Sequence, residues 1–557
     1  MNKNKRLLII IIYVHVQFLC NIFAEVPPKT FFIRPIEVIC DYTFSDTSKW
    51  AITCRVWGLL KYYHPNVTKG EFDWDQVLID MLDRIRESKT PEDVNAELMK
   101  MIKMTGEKEV SDDPAWNDSL NMNVNLCWLD HSFINEPIRQ EIRKIASHTN
   151  EQPSQYIKLR EDLAYVLIPS EREYSVELIQ NFEYRLLALF RYWNIIYYFY
   201  PYKYLMDQSW DTTLLEFIPQ FINASDVPSY HKAVRQIATR LNDGHGSTSV
   251  SPAFNHLGFK HISLIDSSTV VRIPPEGSML ERGDIILSVD AKDIRSYRDS
   301  ISSLIPSSNR GFTNGAVNSV IFRDIMMGCS LKVMRNQYII SLTEKRKRIF
   351  NYVDTTSFYI VSPDICYVNL ARWESIGFTN MIDSLKNFSK VIFDLRNYPS
   401  GLNHWNLFVY FIQTQRFNYA MATCPYLSHP GAFYQEECIT QCPYELCQQC
   451  EKYNGNIVVL IYEATISGDE TLAMMFRIHG ITLVGTPTAG ANGNVSRFNL
   501  PGNINVGYSG LGFFFPDGTQ MQRTGIIPDI EVYPTMDDIM AGRDEVLEAA
   551  IKYLNSQ

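Results

Sequence analysis

The sequence predicts a multidomain α+β protein: a helical N-terminal domain with a duplicated aromatic helix unit, a small β domain, and a C-terminal α/β domain. Composition, an internal repeat and a change of hydrophobic period along the chain predict it. The 557 residues are 46% hydrophobic, 13% aromatic and 20% charged, enough apolar material for three or four domains of roughly 150 residues. Such content excludes disorder, collagen and coiled-coil rods. A net charge of −10, from 52 basic and 62 acidic residues, gives no footprint for nucleic acid and favours a peptide or small-molecule partner.

Residues 1–24 read as a signal peptide. Asn2 to Arg6 is basic, Leu7 to Val14 is apolar, and Ala24 before Glu25 suits cleavage. A retained membrane anchor is the alternative, and export to a periplasmic, extracellular or cell-surface location follows from either. Loss of Cys20 leaves ten cysteines, an even number that an oxidising compartment lets pair. Cys424, Cys438, Cys442, Cys447 and Cys450 read as disulfides stapling a long insertion. The pair Cys447 and Cys450 has zinc spacing, but no second such pair supports a metal, and no cofactor is expected.

The repeat defines the helical part, residues 25–180 and 181–250. Arg55-Val-Trp57-Gly-Leu-Leu-Lys-Tyr62-Tyr63-His-Pro65 matches Arg191-Tyr-Trp193-Asn-Ile-Ile-Tyr-Tyr198-Phe199-Tyr-Pro201, and the same offset of 136 carries Trp74-Asp75 onto Trp210-Asp211. Each copy reads as an aromatic helix ended by proline, a loop, and an amphipathic helix begun near Trp-Asp. At helical spacing the aromatic stripe reads as core before it reads as a ligand cage. Two units are too few for a solenoid. The second copy ends in Asn242-Asp243-Gly244-His245-Gly246-Ser247, whereas the first has Glu109 where His245 falls. Only the second supplies an imidazole.

Residues 251–345 change to short β-branched runs: Thr269 to Ile273, the turn and strand of Met279 to Asp290, and a hairpin about Arg335-Asn336-Gln337. From 346 to 557 buried-strand runs (Ile365 to Leu370, Val391 to Leu395, Ile457 to Tyr462, Thr482 to Val484) alternate with helical stretches. Three segments fall at strand ends, where such sheets place ligands: Asp394-Leu-Arg396-Asn397-Tyr-Pro399-Ser-Gly401, Glu463-Ala-Thr-Ile466-Ser467-Gly468-Asp469-Glu470, and the glycine-rich Gly485 to Gly493. Ser467 has two readings: a nucleophile with the Gly468 N–H as oxyanion donor, or a helix cap boxed with Glu470. His245 alone in a turn reads as structural more readily than as catalytic.

In combination and order these segments resemble the S41 peptidases, the tail-specific and tricorn-core proteases, over roughly residues 180 to 550. Leu280-Glu-Arg-Gly283-Asp284-Ile285-Ile286 is similar to the carboxylate-end turn and strand of a PDZ domain, and Gly525-Ile-Ile-Pro528-Asp529-Ile530 to the family's C-terminal segment. The resemblance implies a PDZ-like β domain and a ClpP/crotonase-like protease core. It implies Ser467 as nucleophile, His245 as general base, Gly468 and Gly401 as oxyanion donors, and Leu280, Gly283, Asp284 and Ile285 as substrate contacts. Tail-specific members carry a base lysine near Ala491, but no lysine occurs between Lys452 and Lys552, which leaves the histidine. The glutamate of tricorn-type members is replaced by Gln522-Arg523-Thr524; Gln522 by its carbonyl, or Glu470, Asp243 or Asp394 by charge, would then orient the ring. The implied activity is an exported serine-type endopeptidase acting on a peptide or protein, captured at its C-terminus by the PDZ-like turn. The alternatives are an inactive protein binding peptides or hydrophobic ligands on the same scaffold, and a metal-dependent hydrolase using the cysteines. Asn66, Asn117, Asn223, Asn387 and Asn494 head glycosylation sequons.

Overall fold

The computed structural model describes residues 43–106, 123–147, 154–160, 164–250, 255–256, 261–324, 326–348, 357–372, 378–398, 416–441 and 453–557. The signal-peptide segment, Asn117, Gly401, Cys442, Cys447 and Cys450 lie outside them. Among the described residues no helix is long and apolar enough to cross a membrane.

The longer helices of the N-terminal part are α1 (Asp46–Tyr63), α2 (Trp74–Glu87), α3 (Pro91–Met104), α4 (Glu136–Ala146), α5 (Phe182–Phe199), α6 (Trp210–Asn223) and α7 (Val227–Thr239). A Ser45–Ser48 capping box starts α1, and Pro65 lies just beyond its C-cap, His64. Helices α1 and α5 are buried on nearly every face, as all-round hydrophobic helices must be. Within each helix pair the two tryptophans exchange hydrogen bonds. Trp57 Nε1 donates to Trp74 O and Trp74 Nε1 to Trp57 O, both at 3.0 Å. Trp193 and Trp210 do the same at 2.8 and 3.0 Å. The indole N–H is thereby satisfied inside an apolar core, which decides the stripe as core.

Charge links the two halves reciprocally. Arg55 of α1 pairs with Asp211 at 2.6 Å, and Arg191 of α5 pairs with Asp75 at 2.6 Å. Arg191 also meets Glu171 at 2.7 Å, which Lys61 shares at 2.7 Å. The helices cross where Gly58 faces Asn194: a Cβ on Gly58 would stand 1.8 Å from Asn194 Oδ1. Only a residue without a side chain fits there.

After α7 the chain turns at 242–246 into β1 (Ser247–Thr248). The small β domain follows with β2 (His261–Ile265), β3 (Ser268–Ile273), β4 (Ile285–Val289), β5 (Gly328–Arg335) and β6 (Tyr338–Lys345), in sheet order β6-β5-β4-β3-β2. Helices α8 (Ile294–Ser302) and α9 (Arg310–Val320) lie between β4 and β5 in the chain. The C-terminal part gives β7 (Phe358–Ser362), β8 (Ile365–Asn369), α10 (Phe378–Leu385), β9 (Lys390–Asp394), the hairpin β10 (Arg416–Pro425) and β11 (Phe433–Gln441), β12 (Asn456–Ile461) and α11 (Gly468–Ile478). Then come β13 (Thr482–Gly485), β14 (Val495–Leu500), β15 (Ile504–Ser509), β16 (Gly512–Phe514), β17 (Ile530–Glu531) and α12 (Glu545–Ser556).

The central sheet has order β7-β8-β9-β12-β13-β17 and is parallel except at β7. Its strands read as continuous apolar runs because both faces are covered. On one face Leu472 and Phe476 of α11 pack with Phe393 and Val459; on the other Val546 and Ala550 of α12 pack with Val458 and Leu460. A separate sheet, β14-β15-β1, joins the helical part to the C-terminal part. Its Phe498, Val506 and Tyr508 belong to the helical core, so one core spans residues far apart in sequence.

The cysteine expectation is corrected in part. Cys424 and Cys438 are buried thiols that are not in a disulfide. In the β10–β11 register Cys438 faces Ala420 and Cys424 faces Tyr434, so their sulfurs pack into the core and not against each other. Cys127 is disulfide-bonded.

Removing one member of the buried charge cluster leaves carboxylates without compensation. Arg191→Met, which leaves Lys61 alone against Asp75 and Glu171, is expected to cost about 3–5 kcal/mol. Urea unfolding followed by tryptophan fluorescence should show a lower midpoint at unchanged slope.

Candidate active site

Ser467 occupies the junction of β12 and α11 with φ 60° and ψ −123°. A serine rarely adopts this backbone, and it persists only where neighbours over-determine it. The neighbours are identifiable. Ser467 N–H donates to Ala491 O at 3.0 Å and lies 3.3 Å from Glu470 Oε2. Thr465 Oγ1 fastens the preceding turn to Leu395 O at 3.0 Å. The Glu470 contact expected of a cap is present, and it serves the strained turn.

Glu470 is fully buried and gathers the glycine-rich loop. It accepts from Thr488 Oγ1 at 2.5 Å, Gly490 N at 2.7 Å and Ala491 N at 3.0 Å. Burial pushes its carboxyl up to about 7 against these bonds, which favour the ionised form. Gly490 has φ +69°, and a Cβ there would meet Gly525 N at 2.8 Å. Glycine lets the loop sit this close to the Gly525 turn.

The His245 turn packs on the same loop. A Cβ on Gly244 would stand 2.9 Å from the Ala491 Cβ, and Ala491 is the residue whose carbonyl holds Ser467. Ser467 and the turn that carries His245 therefore both lie against Ala491. His245 is half-buried, and its Nδ1 lies 3.0 Å from Ser509 Oγ on β15. Ser509 Oγ in turn donates to Asp243 Oδ1 at 2.9 Å. A hydroxyl has one proton; since Asp243 accepts it, Ser509 must accept from Nδ1–H. The neutral ring is then the Nδ1–H tautomer, with the Nε2 lone pair available as base. Burial lowers the His245 pKa below its ordinary value, Asp243 opposes this, and Arg497 adds to it.

Asp243 is fully buried and collects Ser509 N–H at 2.7 Å, Ser509 O–H at 2.9 Å, His245 N–H at 3.1 Å and Gln522 Nε2 at 3.1 Å. Gln522 thus holds Asp243 with its amide and does not hold the ring with its carbonyl. Glu470 acts on the loop. Asp394 is engaged by Arg396 and by Tyr367 Oη at 2.7 Å. Sequence reasoning missed Ser509, because a serine ending an ordinary strand carries no signal until its cross-sheet partners are known.

Gly468 opens α11, where the first N–H groups have no partner within the helix. The exposed Tyr398 places its hydroxyl 3.5 Å from where a Gly468 Cβ would be. The β-domain set is placed differently from expectation. Leu280 is core, Gly283 N–H donates to Val271 O at 2.8 Å, and Asp284 is taken by Arg335 at 2.7 and 2.8 Å. Ile285 lies on β4, flanked by β3 and β5. These four residues build the domain and leave no open edge there; the sheet's edges are β2 and β6. The domain reaches the site through the start of α9, where Ser308 and the N-cap Asn309 donate to the Thr488 and Ala489 carbonyls. No group of His, Cys, Asp and Glu able to hold a metal occurs among the described residues.

No curated protein matches the chain. Among solved structures, mature CPAF complexed with lactacystin aligns with TM-score 0.54 at 13% identity, over 68% of this chain and 98% of that one. Mature CPAF alone aligns with TM-score 0.52 at 12% identity, over 68% and 97%. The photosystem II D1 C-terminal processing protease gives TM-score 0.39 at 14% identity, over 65% and 98%. Residues 364–532 match the model of peptidase family S41. The C-terminal part of this chain, which holds Ser467, Glu470 and Ser509, is thus similar over residues 364–532 to peptidase family S41.

Proposed function

We propose that the protein is an exported serine endopeptidase in which Ser467 is the nucleophile and His245 the general base. The observation that carries this reading is Ser509 Oγ bridging His245 Nδ1 at 3.0 Å and Asp243 Oδ1 at 2.9 Å. The bridge leaves Nε2 basic and stabilises the imidazolium formed when the ring takes the Ser467 proton. Ser467 Oγ then attacks the scissile carbonyl, and the developing oxyanion is received at the positive N-terminus of α11, with Gly468 N–H as one donor. The proton on Nε2 passes to the departing amine, and water hydrolyses the acyl-enzyme by the same route in reverse.

The β domain, in our reading PDZ-like, presents the peptide. Strand addition requires a free edge. β2 offers one, with α9 beside it (Asn318 Nδ2 donates to Ile262 O at 3.1 Å) and the far end of α9 on the catalytic loop. The matched spans of α1 with α5 and α2 with α6 support an internal duplication whose second copy delivers His245.

Three outcomes test the reading. A fluorophosphonate probe should label the protein, and Ser467→Ala or His245→Ala should abolish both labelling and peptide turnover; unchanged turnover in Ser467→Ala sinks the assignment. Asp243→Asn removes the negative charge that Ser509 connects to the ring and turns an NH2 toward the Ser509 N–H, and should lower kcat about 10³–10⁴-fold with KM little changed. The pH profile follows from two groups. Glu470, with a value of about 7, must be ionised to accept all its donors, and His245, lowered below its ordinary value, must be neutral. Activity should therefore fall as pH drops through about 7 and again at lower pH. Glu470→Gln should remove the first step and leave the second.

A further inference from the structure

The β14-β15-β1 sheet has two unlike faces. One, with Phe498, Val506 and Tyr508, is buried in the helical core. The other carries Ser509, which touches His245, and then Arg497, Gly507 and Ser247 on the next rung, since Arg497 and Ser247 both pair with Gly507. Arg497 is exposed, and its Nη1 donates to Ser247 Oγ at 3.4 Å. Gly507 makes room for this arrangement: a Cβ there would stand 2.6 Å from Ser247 Oγ and 3.3 Å from Arg497 Nη1.

This guanidinium has no ion-pair partner among the described residues. Asp243, the acid that acts on the same ring, is committed to its four donors. Its field is felt at His245, whose proton it disfavours. An unpaired arginine beside a general base destabilises the imidazolium that the reaction must form, and a carboxylate placed on it would cancel that cost. A planar guanidinium with free donors is suited to bidentate carboxylate recognition.

We propose that Arg497 is a specificity residue that receives a carboxylate of the peptide lying across His245, supplied by an acidic side chain or by a free C-terminus. The inference builds on the peptidase reading, but it makes a binding claim that can be measured without turnover.

The test uses the full chain as Ser467→Ala and a fluorescein-labelled octapeptide of alanine and leucine in three forms: C-terminal amide, C-terminal acid, and amide with one internal aspartate. Fluorescence polarisation should show one or both acidic forms binding about 5- to 10-fold tighter than the neutral amide. Which form gains tells the source of the carboxylate. Adding Arg497→Gln should bring all three to one affinity, and Arg497→Lys should restore part of the preference. An acid preference that is absent, or that survives Arg497→Gln, overturns the proposal. In the unmutated chain the same preference should appear in kcat/KM. Binding preference without any cleavage would count against the peptidase reading while leaving Arg497 as the carboxylate receptor.

Discussion

The Asp243 carboxylate is the contact through which the site is assembled. Its four donors come from the turn after α7, from β15 and from the segment after β16. A buried ionised carboxylate is costly unless its lone pairs are filled, and here every neighbour fills them. The helical part and the C-terminal part meet at this group, so their packing and the geometry of the His245 turn are set together. The helical domain is consequently more than an attachment. It delivers the histidine turn, and Arg191 fixes β14 by donating to Asn499 O at 2.7 Å while neutralising Asp75 and Glu171.

Glu470 plays the corresponding part on the nucleophile side. It binds the backbone of Gly490 and Ala491, and Ala491 returns a carbonyl to Ser467 while packing against Gly244. The strained φ of Ser467 is thus held by a loop that is itself held by an acid three residues further on. Arg523 adds a third tie. Its N–H donates to Gly490 O at 2.8 Å, and its guanidinium reaches the Ser308 carbonyl of the β domain, Leu205 and Asp207. All three parts of the chain therefore bear on one glycine-rich loop, the one whose Ala491 carbonyl holds Ser467.

Much of this was legible in the sequence where local chemistry dictates it. Proline-ended aromatic helices, buried-strand runs and a serine opening a helix follow from period, breakers and caps. The β14-β15-β1 sheet was not legible, because its strands pair across some 250 residues and its core-facing side chains pack on helices from the other end of the chain. The same distance hid Ser509. What the turn at Gly283 bonds to was likewise hidden: a glycine at φ +85° before a β-branched strand looks alike whether its N–H is open or, as here, donated to Val271 O. Cysteine crowding in sequence likewise says nothing of facing, and Cys424 and Cys438 point into the core on different rungs.

The glutamine at 522 fits this electrostatic arrangement. A glutamate at this position, beside Asp243, would put two carboxylates within hydrogen-bond distance. One of them would then be forced to hold a proton, its pKa raised by its neighbour. Glutamine instead donates through Nε2, which adds a bond to Asp243 and keeps its charge undivided. The acid connected to the ring stands in the histidine's own turn, two residues before it, and Ser509 spans the remaining gap. An amide where a charge was expected is therefore consistent with an intact proton path, since the negative charge resides on Asp243, the residue that Ser509 connects to the ring.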